Sequence, residues 1–118
     1  MNLSKQIITT DIVKDYINKL VSNYLGKEFI RNFQFTFLPV KKLKYHDDNL
    51  HYYTLLLFPK TKTANKLDTY VKKFAETIDN YKDRLLLLDM QLELIDYGIK
   101  VKTGTKNIGV IKFEIKTY

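Results

Sequence analysis

The sequence contains no cysteine and no tryptophan, and it has only four glycines and two prolines among 118 residues. Without cysteine the chain has no disulfide, no thiolate metal site, no iron–sulfur cluster and no cysteine nucleophile. Scarce glycine and proline, beside 14% aromatic residues, exclude the collagen-like, linker and disordered classes. The length and the 45% hydrophobic content predict one globular domain over residues 1–118.

Arginine is also scarce, although the chain is basic. Only Arg31 and Arg84 are arginine among 20 Lys and Arg residues, against 13 Asp and Glu, which gives a formal net charge of +7. Such a surface attracts polyanions, of which nucleic acid is the most common. A lysine-rich genome would produce the same composition without a function, and the sequence leaves both interpretations open.

Long apolar runs are absent too. The longest uninterrupted ones, Leu55–Phe58 and Leu85–Leu88, are far shorter than the about 20 residues of a membrane-spanning helix, and the first residues show no signal-peptide pattern. We therefore expect a soluble, cytoplasmic protein with no membrane partner.

Two segments have the three- and four-residue spacing of apolar side chains that is typical of a helix with one buried face. The first follows Thr9 and Thr10, the predicted N-cap, and stops at Gly26. Its apolar positions are Ile12, Val13, Tyr16, Ile17, Leu20, Val21, Tyr24 and Leu25. The second covers Ala64–Asn80 behind a Thr63 cap. Its predicted buried positions are Leu67, Tyr70, Val71, Phe74 and Ile78.

Alternating apolar and polar residues predict strands in the rest of the chain. Phe33, Phe35 and Phe37 share one face of the first strand. Pro39 cannot donate to a ladder, so it indicates a bend or a sheet edge. Leu50–Phe58 is the second strand, and its apolar run predicts burial on both faces.

The last third of the chain predicts a long hairpin. Leu85–Ile95 alternates like a strand, and although its leucines and glutamate also suit a helix, we predict the strand. Gly98 allows a bend or bulge before the strand continues. Thr103–Asn107 forms the predicted turn to a final strand, Ile108–Thr117, in which a change of phase predicts a bulge near Gly109.

The element order is therefore helix, strand, strand, helix, strand, strand. Consecutive strands favour antiparallel pairing, because parallel strands need regularly interposed helices. We predict an α+β domain, with a mainly antiparallel sheet or a small, partly closed barrel and two or three helices packed against it.

Familiar catalytic motifs are missing: the chain has no Walker loop, no dinucleotide fingerprint, no Gly-x-Ser-x-Gly and no His-Glu-x-x-His. The spacing of His46, Asp47, Asp48 and His51 could hold a divalent cation, but a polar hairpin turn explains the same residues. We therefore predict no catalytic site, no bound metal and no cofactor.

Three groups of lysines remain as candidates for a binding site. Lys60, Lys62 and Lys66 surround the predicted start of the second helix, whose free amides would also attract a phosphate. The other two groups are Lys41, Lys42 and Lys44, followed by Tyr45, and the hairpin lysines Lys100, Lys102, Lys106, Lys112 and Lys116.

The hairpin lysines are the predicted phosphate-binding surface. Like charges on neighbouring strands cost stability unless solvent or a polyanion screens them. Tyr97 or Tyr45, and also Tyr52 and Tyr53, could stack on unpaired bases. The ordinary alternative is a solvated strand face with half-buried core tyrosines. Lysine without arginine predicts phosphate contacts with little sequence selectivity.

The segment Leu85–Lys102 (LLLLDMQLELIDYGIKVK) with its closing hairpin, together with the length and the element order, resembles the PrgU-like family, small proteins of enterococcal conjugative plasmids. The resemblance implies a compact PUA-like pseudobarrel related to RNA-binding PUA domains. It also implies a role in limiting production of a plasmid-encoded surface adhesin. No binding residue is carried over from the family.

We therefore expect a non-enzymatic regulatory protein that binds RNA, such as a messenger leader, through the hairpin lysines. The alternative is a protein-interaction module that acts on a host or plasmid regulator without nucleic acid, or that forms a homodimer.

Overall fold

A computed structural model describes residues 3–39, 49–60, 66–101 and 107–118, with the side chains of the first helix described from Ile7 onward. The helical segments are α1 (Leu3–Leu20), a π-helical turn (Val21–Leu25), α2 (Gly26–Asn32), α3 (Leu67–Asn80) and a 3₁₀ helix (Lys82–Leu88). The strands are β1 (Phe33–Pro39), β2 (Leu50–Pro59), β3 (Met90–Lys100) and β4 (Ile108–Thr117).

The four strands form one open antiparallel sheet in the order β1-β2-β4-β3. The helices α1 and α3 pack against one face, which we call the helix face, and we call the other the open face. The α+β prediction is confirmed, and within the described residues the sheet does not close into a barrel. Pro39 ends β1 at an edge of the sheet, as its missing N–H predicts.

The core lies between the helix face and the helices. Every second residue of β2 and β4 is buried there, because successive side chains of a strand point to opposite faces. Phe74 of α3 meets Phe35 edge to face, with ring centroids 5.7 Å apart. The predicted stripe of α3 is confirmed as buried: Leu67, Tyr70, Val71, Phe74 and Ile78. The prediction that β2 is covered on both faces is wrong, since its open-face residues are only half-buried.

The first helix begins earlier than its predicted threonine cap. The chain is already helical at Leu3, and Thr9 is buried within α1. The Thr10 hydroxyl lies 3.1 Å from the Tyr53 hydroxyl, so it joins α1 to the sheet and caps nothing. Gly26 does interrupt the helix, with φ of 83°, but α2 follows directly. The second predicted helix corresponds to α3, which begins at Leu67. Its predicted start, Thr63 and Ala64, lies outside the described residues.

The prediction of a strand over Leu85–Leu88 is wrong. These residues belong to the 3₁₀ helix, which ends at Asp89 in the left-handed conformation (φ 57°, ψ 38°). A 3₁₀ helix has three residues per turn, so Leu85 and Leu88 lie on the same side. Leu85 is buried while the next three leucines are exposed. Strand β3 starts only at Met90.

The bulges do not lie at the predicted glycines. The register shifts between Leu94 and Asp96 rather than at Gly98. The β3–β4 ladder runs through Gly109 without a break, and Gly109 is the last paired residue of the β2–β4 ladder. A Cβ on Gly109 would overlap Cγ2 of Val71 in α3. Glycine is needed there because α3 approaches the sheet closely.

Among the described residues, no helix combines the length and the apolar character that a membrane crossing requires.

Candidate nucleic-acid interface

The described hairpin lysines lie on the open face. Ile111 and Phe113 of β4 are buried on the helix face, so the alternate residues Lys112 and Lys116 point the other way. Lys100 pairs with Ile108 in the same register and also lies on the open face. All three lysines are exposed. Two further predicted residues of this group, Lys102 and Lys106, lie outside the described residues.

Carboxylates interleave with two of these lysines. Asp96 is the cross-strand partner of Lys112, and Glu114 stands between Lys112 and Lys116 along β4. Glu93 lies directly opposite Glu114. Desolvation, followed by the hydrogen bond and the repulsion from Glu93, raises the pKa of Glu114. The β4 half of the hairpin therefore presents both signs of charge.

Tyr97 does not lie beside these lysines. Its register partner is Ile111, so its side chain leaves β3 on the helix face, where it is 40% exposed. Tyr53 is buried, with its ring 4.9 Å from that of Phe37 and 5.5 Å from that of Phe113. Tyr52 is the described tyrosine of β2 on the open face. Of the predicted stacking residues, Tyr52 alone among those described shares a face with Lys112.

The predicted group Lys41, Lys42, Lys44 and Tyr45 lies outside the described residues. The chain enters that segment after Pro39 and leaves it before Asn49, at the end of the sheet where β2 begins. Lys100 lies at the other end, where β2 finishes. The ten residues of β2 separate the two ends by about 30 Å.

Lysines from different parts of the chain lie at that second end. The antiparallel order brings together the end of β2, the start of α3 and the end of β3. Lys60, Lys66 and Lys100 stand at these three points, and we call this region the lysine end. Two strand spacings, about 10 Å, separate β3 from β2 across it. Lys62, like Lys102 and Lys106, lies outside the described residues.

The lysine end is anchored to α2. The Lys60 backbone N–H donates to the Asn32 carbonyl at 2.8 Å, and its Nζ donates to the Ile30 carbonyl at 3.2 Å. Both acceptors are neutral, so these bonds leave the charge of Lys60 uncompensated. Arg31, between them in sequence, is exposed as well.

One ion pair partly compensates the lysine end. Lys66 Nζ lies 2.8 Å from Glu28 Oε1. This contact lowers the pKa of Glu28 and raises that of Lys66, and both side chains are exposed. Asp68 is the acidic residue in the first turn of α3. Even with Glu28 and Asp68 present, the described cations Arg31, Lys60, Lys66 and Lys100 leave this end positive.

A groove of about 280 Å³ runs from Lys100 along the open face. Gly98 has no side chain and pairs with Val110, which leaves a gap between Lys100 and the Asp96–Lys112 pair. A Cβ on Gly98 would have no other heavy atom within 4 Å, so the space above this residue in the groove is unfilled. The groove can receive a flat group beside the positive end.

His51 of the predicted cation motif is a core residue. It is buried on the helix face of β2, opposite Ile115, while His46, Asp47 and Asp48 lie outside the described residues. Within the described ranges, no three His, Asp or Glu side chains form a group that could hold a metal ion.

Comparison with protein-family models, with curated proteins and with solved structures gave no match. The resemblance to the PrgU-like family therefore stays a prediction.

Along the sequence, Lys60 and Lys66 belong to a different group of lysines from Lys100. They lie at the same end of the sheet because β2 pairs with β4, which places the β1–β2 pair beside the β3–β4 pair. Spacing along the chain does not carry that information, because Lys60 and Lys100 are far apart in sequence.

Proposed function

We propose that this chain is a non-enzymatic regulatory protein that binds RNA at the lysine end. The observation that carries the proposal is the topology, which gathers Lys60, Lys66 and Lys100 at one end of the sheet. Arg31 adds to their charge, and the groove at Gly98 begins there. This site keeps Lys100 of the predicted hairpin surface and adds Lys60 and Lys66 to it.

Binding would rest on phosphate contacts. Each ammonium group acts as a point charge on a flexible stem, and neutralising phosphates releases counterions from the RNA. The groove gives a base or sugar a place beside the phosphates, and its lining includes Asp96, Lys100 and Lys112. We therefore expect affinity that falls steeply with salt and depends little on sequence.

Charge-reversal variants distinguish RNA binding at this site from attraction by the net charge of the protein. The variant Lys60→Glu, Lys66→Glu, Lys100→Glu is compared with Lys14→Glu, Lys19→Glu, Lys73→Glu, which changes the net charge equally at exposed helix positions. Fluorescence anisotropy with single-stranded RNA should show a loss of about tenfold or more for the first variant and a much smaller loss for the second. Equal losses would mean that only the overall charge matters and would refute the site.

A second candidate is a protein-interaction module that works without nucleic acid. The open face supports it, because half-buried Leu56, Phe58 and Val110 form an apolar centre with Lys112 and Asp96 at the rim. This is the arrangement of a typical protein interface. A partner retained after nuclease treatment and high salt, and lost in Leu56→Asp, would favour this function over RNA binding.

The cellular role implied by the family resemblance, limiting production of a plasmid-encoded surface adhesin, is part of the same proposal. RNA crosslinking in cells followed by sequencing would identify the transcript. Recovery of no enriched transcript would favour the protein-interaction module.

A further inference from the structure

A second surface carries a groove between α1 and the 3₁₀ helix. Its volume is about 260 Å³. The apolar lining comes from Ile12, Tyr16, Leu20 and Leu88, and the charged rim includes Asp15 and Arg84. The Tyr16 hydroxyl donates to the Ile78 carbonyl at 2.8 Å, so the ring of Tyr16 is held in place.

Arg84 is fixed at the rim before any partner arrives. The rings of Tyr24 and Tyr81 stack with centroids 4.1 Å apart, and the guanidinium lies 4.7 Å from the centroid of Tyr81. Arg84 also donates to the Tyr24 hydroxyl at 2.6 Å. A side chain already held in one conformation loses little entropy when it forms a further ion pair.

Apolar side chains project beside the groove. Leu87 is 88% exposed, and its neighbours Leu86 and Leu88 are about half exposed. Ile8 lies one helical turn before Ile12 and is 57% exposed. Adjacent exposed apolar side chains of this kind mark interaction surfaces in soluble proteins.

We propose that this surface binds a second copy of this chain around a two-fold axis. On this surface the projecting side chain of Leu87 lies next to an apolar groove that could receive the same side chain from a second copy. It also carries both signs of charge, Asp15 and Arg84, at the rim of the same groove. A two-fold contact needs a self-complementary patch of this kind.

In the proposed dimer, Leu87 of each copy enters the groove of the other. Arg84 of each copy faces Asp15 of the other, and this contact competes with the exposed Asp15–Lys19 ion pair at 3.0 Å. The lysine end lies at the far end of α3 from the 3₁₀ helix, so the dimer leaves it open. This inference does not depend on RNA binding.

Sedimentation equilibrium over low micromolar to submillimolar protein tests the dimer. We expect a reversible dimer for the wild type and a monomer for Leu87→Asp, while the control Val101→Asp, at a position 73% exposed at the other end of the sheet, stays dimeric. Circular dichroism should be unchanged, because both substituted positions are exposed. A wild-type monomer over the whole range, or a dimer that Leu87→Asp leaves intact, would overturn the proposal.

A charge exchange tests the orientation of the two copies. Asp15→Arg should weaken dimerisation by about tenfold, because each dimer loses two ion pairs and gains two repulsive contacts. Adding Arg84→Asp to the same chain should restore much of the affinity. Failure of the double variant to recover, with its fold intact, would exclude the proposed pairing.

Discussion

Gly109 of β4 and Val71 of α3 are packed so closely that no Cβ fits between them. This contact sets how near α3 lies to the sheet, and therefore where the start of α3 places Lys66 relative to Lys100. A Cβ at Gly109 would also lie 3.1 Å from Cβ of Leu57, a backbone-linked atom that cannot move aside alone.

Gly109→Ala should therefore destabilise the protein. Overpacking of this kind costs about 1–3 kcal/mol, which urea unfolding measures directly. Gly98→Ala is the matched control, since its Cβ would meet nothing within 4 Å in the same sheet. Equal stability of the two variants would contradict the close approach of α3.

The Glu93–Glu114 pair predicts a dependence of stability on pH. Because the folded state raises the pKa of Glu114, it binds a proton more tightly than the unfolded chain. The resulting stability is present at low pH and is lost as the pH rises above the ordinary value of 4.5 and through the raised pKa. Solvent screening keeps this effect below about 1 kcal/mol.

Glu114→Gln should remove that loss. Its free energy of unfolding should fall less than that of the wild type between mildly acidic and neutral buffer, as urea titrations at several pH values would show. Parallel pH profiles for the two proteins would contradict the shared proton. Asp83→Gln, at an exposed position in the 3₁₀ helix, serves as the charge-matched control.

Tyr16→Phe should cost about 1–3 kcal/mol of stability. The substitution removes a buried hydroxyl and leaves the Ile78 carbonyl without that donor. Burial also raises the pKa of Tyr16, in agreement with its position in the core. Tyr118→Phe removes an exposed hydroxyl that donates to Gln91, and it should change thermal stability far less. A similar effect of both variants would show that the bond to Ile78 adds little.

The sequence predicted the fold best where the spacing of apolar residues matches the pattern of buried residues. Phe33, Phe35 and Phe37 alternate on a strand with one covered face, so the pattern predicts both the strand and its buried side. Four consecutive leucines, Leu85 to Leu88, fit any period, and only Leu85 of the four is buried, so their spacing could not distinguish the strand from the 3₁₀ helix. The sequence predicts a bulge near Gly109 because the alternation of residues along one strand carries no information about the helix that packs against it.

The site was less predictable than the fold for a related reason. The sequence shows where lysines cluster along the chain, but which clusters lie together in the fold depends on the strand order. The pairing of β2 with β4 places Lys60 and Lys100 at the same end of the sheet. The same register places Asp96 opposite Lys112 and turns Tyr97 to the helix face. These relationships come from the sheet and not from local spacing.

Lysine footprinting tests the central claim most directly. The protein is acetylated briefly with and without single-stranded RNA, and the modification of each lysine is measured by mass spectrometry. RNA should protect Lys60, Lys66 and Lys100 and should leave Lys14, Lys19 and Lys73 reactive. Protection confined to Lys112 and Lys116, equal protection of all lysines, or no protection would contradict RNA binding at the lysine end.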